Sequence, residues 1–223
     1  MERHFETEMQ ALKNRLLSMG AMVEERVHQA VLALMERNAQ AAETIIAGDA
    51  EVNELQIEVD DRCLKLLALQ QPMASDLRLI TAAMKINADL ERIGDQAVNI
   101  AENSLKLMAA APLKPIIDLP RMAEISEGMT RDSLDAFVRK DPALARSVLA
   151  RDDEVDQLKD HIFRVLLTYM MADPGTIERA LSLILVSRNL ERIADHATNI
   201  AEDVIFVVEA KDVRHHHEER MLS

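Results

Sequence analysis

The chain has 223 residues and a formal charge of −13, from 26 Lys and Arg against 39 Asp and Glu. With no Lys/Arg cluster along it, that balance argues against a nucleic-acid or anionic-membrane binder, which needs basic residues near the phosphates. Apolar residues make up 48%, enough to bury a core, whereas Gly (5), Pro (6) and aromatics (2%) are too sparse for a many-stranded sheet.

The abundant Ala, Leu, Met, Glu and Arg favour helix, so the expected class is all-α. Residues 5–37 carry Leu12, Leu16, Met19, Val23, Val27, Val31 and Leu34 at helical spacing. Asn38 suits the cap of a short helical piece ending at Gly48, and Asp49 suits the cap of a second long helix with Val52, Leu55, Val59, Leu66 and Leu67 inward. Gln71-Pro72 breaks it. Ser75 is the expected N-cap of a third helix, with Asp76 at its positive end, running to Met108.

Residues 109–120 hold three of the six prolines and read as a linker. The expected division is a first three-helix bundle over 1–110, a Pro-rich linker over 111–120 and a second three-helix bundle over 121–223. In the second half, Asp141-Pro142 marks a helix start, and Asp173-Pro174-Gly175 is the turn before a last helix over 176–210.

The halves repeat one another. Leu90-Glu91-Arg92-Ile93-Gly94-Asp95-Gln96-Ala97-Val98-Asn99-Ile100-Ala101-Glu102 matches the segment 100 residues later, Leu190 to Glu202, at ten of thirteen positions. Upstream the offset is 103: Glu51, Val52 and Leu55 pair with Glu154, Val155 and Leu158, while Leu34 and Ala42 pair with Phe137 and Ala145. On a helix turning about 100° per residue, Glu91, Asp95, Asn99 and Glu102 share one face, and Leu90, Ile93, Ala97, Ile100 and Ala101 share another. Glu191, Asp195, Asn199 and Glu202 repeat the acidic face.

Acidic residues at i, i+4 repel by a few tenths of a kcal/mol per pair, and no Lys or Arg lies within either stripe, although Arg92 and Arg192 flank them. Three carboxylates and an amide form a hard-oxygen set suited to Mg²⁺, Mn²⁺, Ca²⁺ or iron. A solvated face, or packing against a neighbouring subunit's basic residues, is the plainer alternative.

The paired Leu-Glu-Arg-Ile-x-Asp segments resemble the Glu(Asp)-x-x-x-Asp signatures of the PhoU family. Leu69-Gln70-Gln71-Pro72-Met73-Ala74-Ser75-Asp76-Leu77-Arg78, the tandem repeats and the ending Val208-Glu209-Ala210-Lys211-Asp212-Val213-Arg214-His215 are similar to that family too. The resemblance implies a non-catalytic, cytoplasmic negative regulator of phosphate uptake and phosphate-starvation signalling. Its implied partners are a phosphate ABC transporter ATPase subunit and a sensor histidine kinase, and its implied state is a homodimer. It also implies metal ligands at Glu91, Asp95, Glu191 and Asp195, with Asn99, Glu102, Asn199 and Glu202 as second choices. The metal would be a divalent or trivalent ion: iron, Mn, Mg, Zn or Ca.

Other features weigh less. The N-terminus lacks a secretory signal, and the apolar run from Leu181 to Val186 is too short to span a membrane. Cys63 is the single cysteine, so no internal disulfide forms and a Cys-based zinc site is disfavoured. Together these suggest a soluble protein of a reducing cytoplasm, with Cys63 an inert buried thiol. His196 is expected to have a structural or solvent-facing role, because position 96 is Gln; His215 to His217 read as a solvated tail. Asp76 and Arg78 are expected to cap and pair locally, and the thirteen Met residues to fill core. No Walker loop, Gly-x-Ser-x-Gly or His-Glu-x-x-His is present. A ferritin-like metal enzyme remains an alternative, weakened because neither signature Glu has a His three residues on; a helical scaffold is another.

Overall fold

The structure, a computed structural model, describes residues 2–113 and 118–213, with side chains from residue 5. Its helices are α1 (Glu2–Glu36), α2 (Ala39–Ala47), α3 (Asp49–Gln70), α4 (Ala74–Met108), α5 (Leu119–Arg139), α6 (Pro142–Leu149), α7 (Asp152–Ala172) and α8 (Ile177–Glu209). A 3₁₀ turn, Pro174–Thr176, precedes α8. The described residues contain no strand, and none of their helices is long and apolar enough to cross a membrane.

The apolar positions anticipated in α1 are all buried. They pack α1 against α3 and α4, with α2 laid across them, while α5, α7 and α8 form the second bundle with α6 in the place of α2. The same joint is built in each. Arg37 and Lys140 adopt left-handed φ of 55° and 54°, an uncommon conformation without glycine. The following N–H reaches back five residues, Asn38 to Ala33 O and Asp141 to Ala136 O, both 2.9 Å, a Schellman closure. Asn38 then caps α2 through Ala41 N–H, and Asp141 caps α6 through Ala143 and Leu144 N–H.

Two expected caps are different. Asp49 is the first residue of α3, after Gly48 at the N-cap, and accepts from Asn53 Nδ2 (3.0 Å). Ser75 lies inside α4, whose N-cap is Met73 and whose first turn closes through backbone, Asp76 N–H to Met73 O (3.1 Å). Gln71 in the left-handed region and Pro72 turn the chain early, so the helix starts before the polar residues. Among the methionines, Met9, Met19, Met122 and Met129 are core, but Met35, Met73 and Met171 are exposed.

The two bundles share one core. α4 packs along α8 more extensively than any other pair, and α1 crosses α5 so closely at Gly20 that an added Cβ would run into Leu134 Cδ1. Arg37 donates to Met108 O (2.9 Å) and Ala110 O (2.7 Å), while Arg179, from the other half, donates to Ala111 O (2.8 Å). The connection is thus gripped from both sides. Helix α5 opens at Leu119, within the stretch expected as linker, with Pro120 in its first turn. Residues 114–117 and the His215 to His217 tail lie outside the described residues.

Candidate functional site

The signature segments sit mid-helix in α4 and α8. Leu90, Ile93, Ala97, Ile100 and Ala101 are wholly buried, as are Leu190, Ile193, Ala197, Ile200 and Ala201. Burial of these faces fixes both helices in rotation, and the acidic residues are turned outward by the helical period.

In the first repeat, Glu91 lies toward the start of α3, within reach of the charge of Asp49, with Asp95 beside it on α4. Loss of hydration pushes the Glu91 carboxyl above its ordinary range, and the negative charges of Asp95 and Asp49 push it further. Arg92 opposes this, donating from Nη1 to Asp95 Oδ2 (3.0 Å) with Nε 3.4 Å from Glu91 Oε2. In the second repeat, Glu191 and Asp195 face the start of α7. Loss of hydration and the charges of Glu191, Asp152 and Asp156 push Asp195 up to about 6. Asp152 is raised by the same crowding. The counter-charge here is Lys159, whose Nζ donates to Asp156 Oδ1 (2.6 Å) and Glu191 Oε1 (2.9 Å). Burial lowers the affinity of that ammonium for its proton, but the two carboxylates outweigh burial and raise it.

Each cluster therefore draws on two helices, and the residues from α3 and α7 extend the sequence-derived set. Their signal was the repeat itself: the offset of 103 that pairs Val52 with Val155 also pairs Asp49 with Asp152 and Asn53 with Asp156. The relief of repulsion was equally hidden, because Lys159 arrives from a helix distant in sequence. Both α3 and α7 begin with acidic first turns, where the helix dipole favours negative charge.

The rest of each stripe goes elsewhere. Asn99 and Asn199 line an open cleft of about 670 Å³ between α4 and α8, together with Arg92, Asp95, Arg192, Asp195 and His196. Asn199 Nδ2 donates to Asp89 Oδ1 (3.2 Å), and His196 Nδ1 donates to the same oxygen (2.8 Å). His196 thus ties one repeat to the other. Glu102 is exposed and Glu202 half-buried, and neither lines the cleft. Arg78 Nε is buried without a hydrogen-bond partner among the described residues, and α4 has no side-chain cap, so the local pairing expected of Asp76 and Arg78 is not formed. Cys63 is fully buried, and burial pushes its thiol up to about 12.

The cluster donors are oxygens, the type that hard cations prefer. Among the described residues, no group of three or more His, Cys, Asp and Glu side chains is drawn tightly enough together to hold a metal ion; arginine and lysine supply the positive charge instead.

The family model for the PhoU domain matches twice, over residues 16–104 and 119–204. A Pseudomonas putida relative described as a phosphate-specific transport system accessory protein PhoU homolog is 40% identical over 224 residues, spanning 100% of this chain and 88% of its own. The crystal structure of PhoU from Pseudomonas aeruginosa superposes with a TM-score of 0.90 at 39% identity, over 93% of this chain and 100% of that one. The phosphate transport system regulatory protein PhoU from Streptococcus pneumoniae does so with a TM-score of 0.88 at 31% identity, over 94% and 99%.

Proposed function

The chain belongs to the PhoU family, and from that premise we propose that it is a non-catalytic, cytoplasmic negative regulator of phosphate uptake and phosphate-starvation signalling. In this reading it works as a homodimer that links the ATPase subunit of a phosphate ABC transporter to a sensor histidine kinase. The observation that carries the reading is the likeness, along the whole chain, to a protein described as an accessory of phosphate-specific transport. A deletion strain tests it: uptake should stay high in abundant phosphate and return to control when the full chain is restored. Normal control after deletion would overturn the reading.

Glu91 and Asp95, with Asp49, and Glu191 and Asp195, with Asp152 and Asp156, are the residues proposed to hold a metal ion. All are carboxylates, which suits Mg²⁺, Mn²⁺, Ca²⁺ or iron better than zinc, a frequent partner of nitrogen and sulfur. The carboxylates are not gathered into a ligand cage among the described residues, so a bound cation would have to draw them together, turning their mutual repulsion into attraction and offering a bridge to phosphate, which bare carboxylates repel. Arg92 and Lys159 hold the same carboxylates together by charge-assisted hydrogen bonds. Elemental analysis of the double variant Glu91→Ala, Asp95→Ala should show less metal at unchanged helicity; unchanged stoichiometry would move the ligands elsewhere. Gly94 and Ala194 stand where a ferritin-like centre places His, so no residue here favours that reading.

A further inference from the structure

The outer face of the α7–α8 hairpin carries Phe163, Leu167 and Met171 on one helix and Ile177, Leu181 and Leu185 on the other. All six are exposed, from 41% for Ile177 to 79% for Met171. Within each set the spacing is i, i+4, i+8, so each forms a single stripe. Large exposed apolar patches mark interaction sites.

The duplication supplies an internal comparison. The equivalent positions in the first repeat are Asp60, Leu64 and Ala68, then Leu77, Thr81 and Lys85. Asp60 accepts from Asn87 Nδ2 (2.9 Å), and Lys85 donates to Asp203 Oδ1 (2.8 Å). Asp60 and Lys85 are thus engaged by polar contacts within the chain, while Leu64 and Leu77 stay exposed; in the second repeat all six positions are large, apolar and exposed. Charge diverges in step. Arg164 and Arg188 are exposed beside or beyond the apolar stripes and form no ion pair among the described residues, in a chain with 39 acidic residues. Arg164 and Arg188 replace Asp61 and Ala88 of the first repeat.

We infer that this face docks an amphipathic helix of another protein, one that presents large apolar residues in a stripe with carboxylates beside it. Helix-in-groove recognition supplies the apolar contacts, and the unpaired guanidinium groups select acidic flanks. A second copy of this chain is a poorer occupant, because an isologous contact sets the exposed Arg164 and Arg188 rim against its own copy. An anionic bilayer is poorer still: the chain carries −13 overall, and Asp152 and Asp156 precede the stripe on α7. The inference rests on the adaptor reading for the existence of such a partner, but its test does not involve phosphate uptake.

Two labelled synthetic helical peptides share one leucine stripe; one has Glu at the flanks, the other Lys. Titrated with the full chain by fluorescence anisotropy, the Glu peptide should bind roughly tenfold more tightly than the Lys peptide. Leu181→Asp should abolish binding at unchanged helicity, and Arg164→Glu with Arg188→Glu should reverse the preference. Equal binding of both peptides, no saturable binding of the Glu peptide, or full binding by Leu181→Asp would overturn the inference. So would dissociation of an oligomer by Leu181→Asp, which assigns the face to a second copy. Loss of phosphatidylglycerol vesicle binding in that variant would assign it to a membrane and overturn the inference as well. A failed titration alongside uptake control that depends on the chain would remove the docking face and leave the adaptor role standing.

Discussion

Replacing Lys159 by Gln removes the ammonium that stands between Asp156 and Glu191. Its two hydrogen bonds, 2.6 and 2.9 Å, join side chains 29%, 53% and 22% exposed. An exposed pair contributes about 0.2–1 kcal/mol, and partial exclusion of water moves these toward the upper end. Adding the repulsion released among Asp152, Asp156, Glu191 and Asp195, the expected loss is about 1–2 kcal/mol, or roughly 2–8 °C in melting temperature for a chain of this length. The assay is thermal unfolding by circular dichroism in chelator, repeated with Mg²⁺ or Mn²⁺. With the ammonium gone, a cation meets uncompensated carboxylates, so the variant should gain more melting temperature from the metal than the native chain does. A ligand at a hundredfold its Kd adds about 2.7 kcal/mol. Equal melting in chelator would show that Lys159 is a bystander. An equal response to the metal would show that the cluster does not hold it.

Asp195, with a folded pKa of about 6 against the ordinary 3.8, binds more proton in the folded chain, so stability falls as pH rises through the interval between those values and stays lower above it. Asp195→Asn should remove that fall and add about 1 kcal/mol near neutrality, after allowing for the solvent that reaches this carboxyl; urea midpoints across the interval check it, and identical profiles for the two chains would contradict it. Cys63 should react with a thiol reagent only as fast as the chain unfolds, because the buried thiol is held protonated; rapid modification of the folded protein would contradict this. Gly20→Ala should destabilise by about 1 kcal/mol, since the clash with Leu134 exceeds the helix-propensity gain. The second change Leu134→Ala should then cost less in the variant than in the native background, and simple additivity in a double-mutant cycle would refute the contact.

The fold was legible because its signals are local and doubled. The spacing of Leu12 to Leu34 fixes which side of α1 is buried, and Asn38 and Asp141 are capping residues that cap. Ser75 misled because its chemistry suits a cap, while the turn at Gln71-Pro72 starts α4 before it. The site was half legible. Helical period places Glu91 and Asp95 on one face without knowledge of any other helix. What that face meets is a matter of packing, so Lys159 and the cleft between α4 and α8 had no local signature. Asp49, Asn53, Asp152 and Asp156 lay between these cases, visible to anyone who carried the repeat upstream from the signatures.

The docking of α4 on α8 bears on the ancestry of the molecule. Its register runs Lys85 against Asp203 and Asp89 against Asn199, and continued it brings Gly94 level with Ala194, the same position in each copy. A local dyad therefore passes between the halves, as it would if a half-length ancestor had met its twin through this surface before gene fusion joined them. The two sides of the dyad are not identical. The mirror image of the Lys85–Asp203 bridge is Leu185 and Asn103, an uncovered aliphatic side chain and an amide whose oxygen has no partner among the described residues.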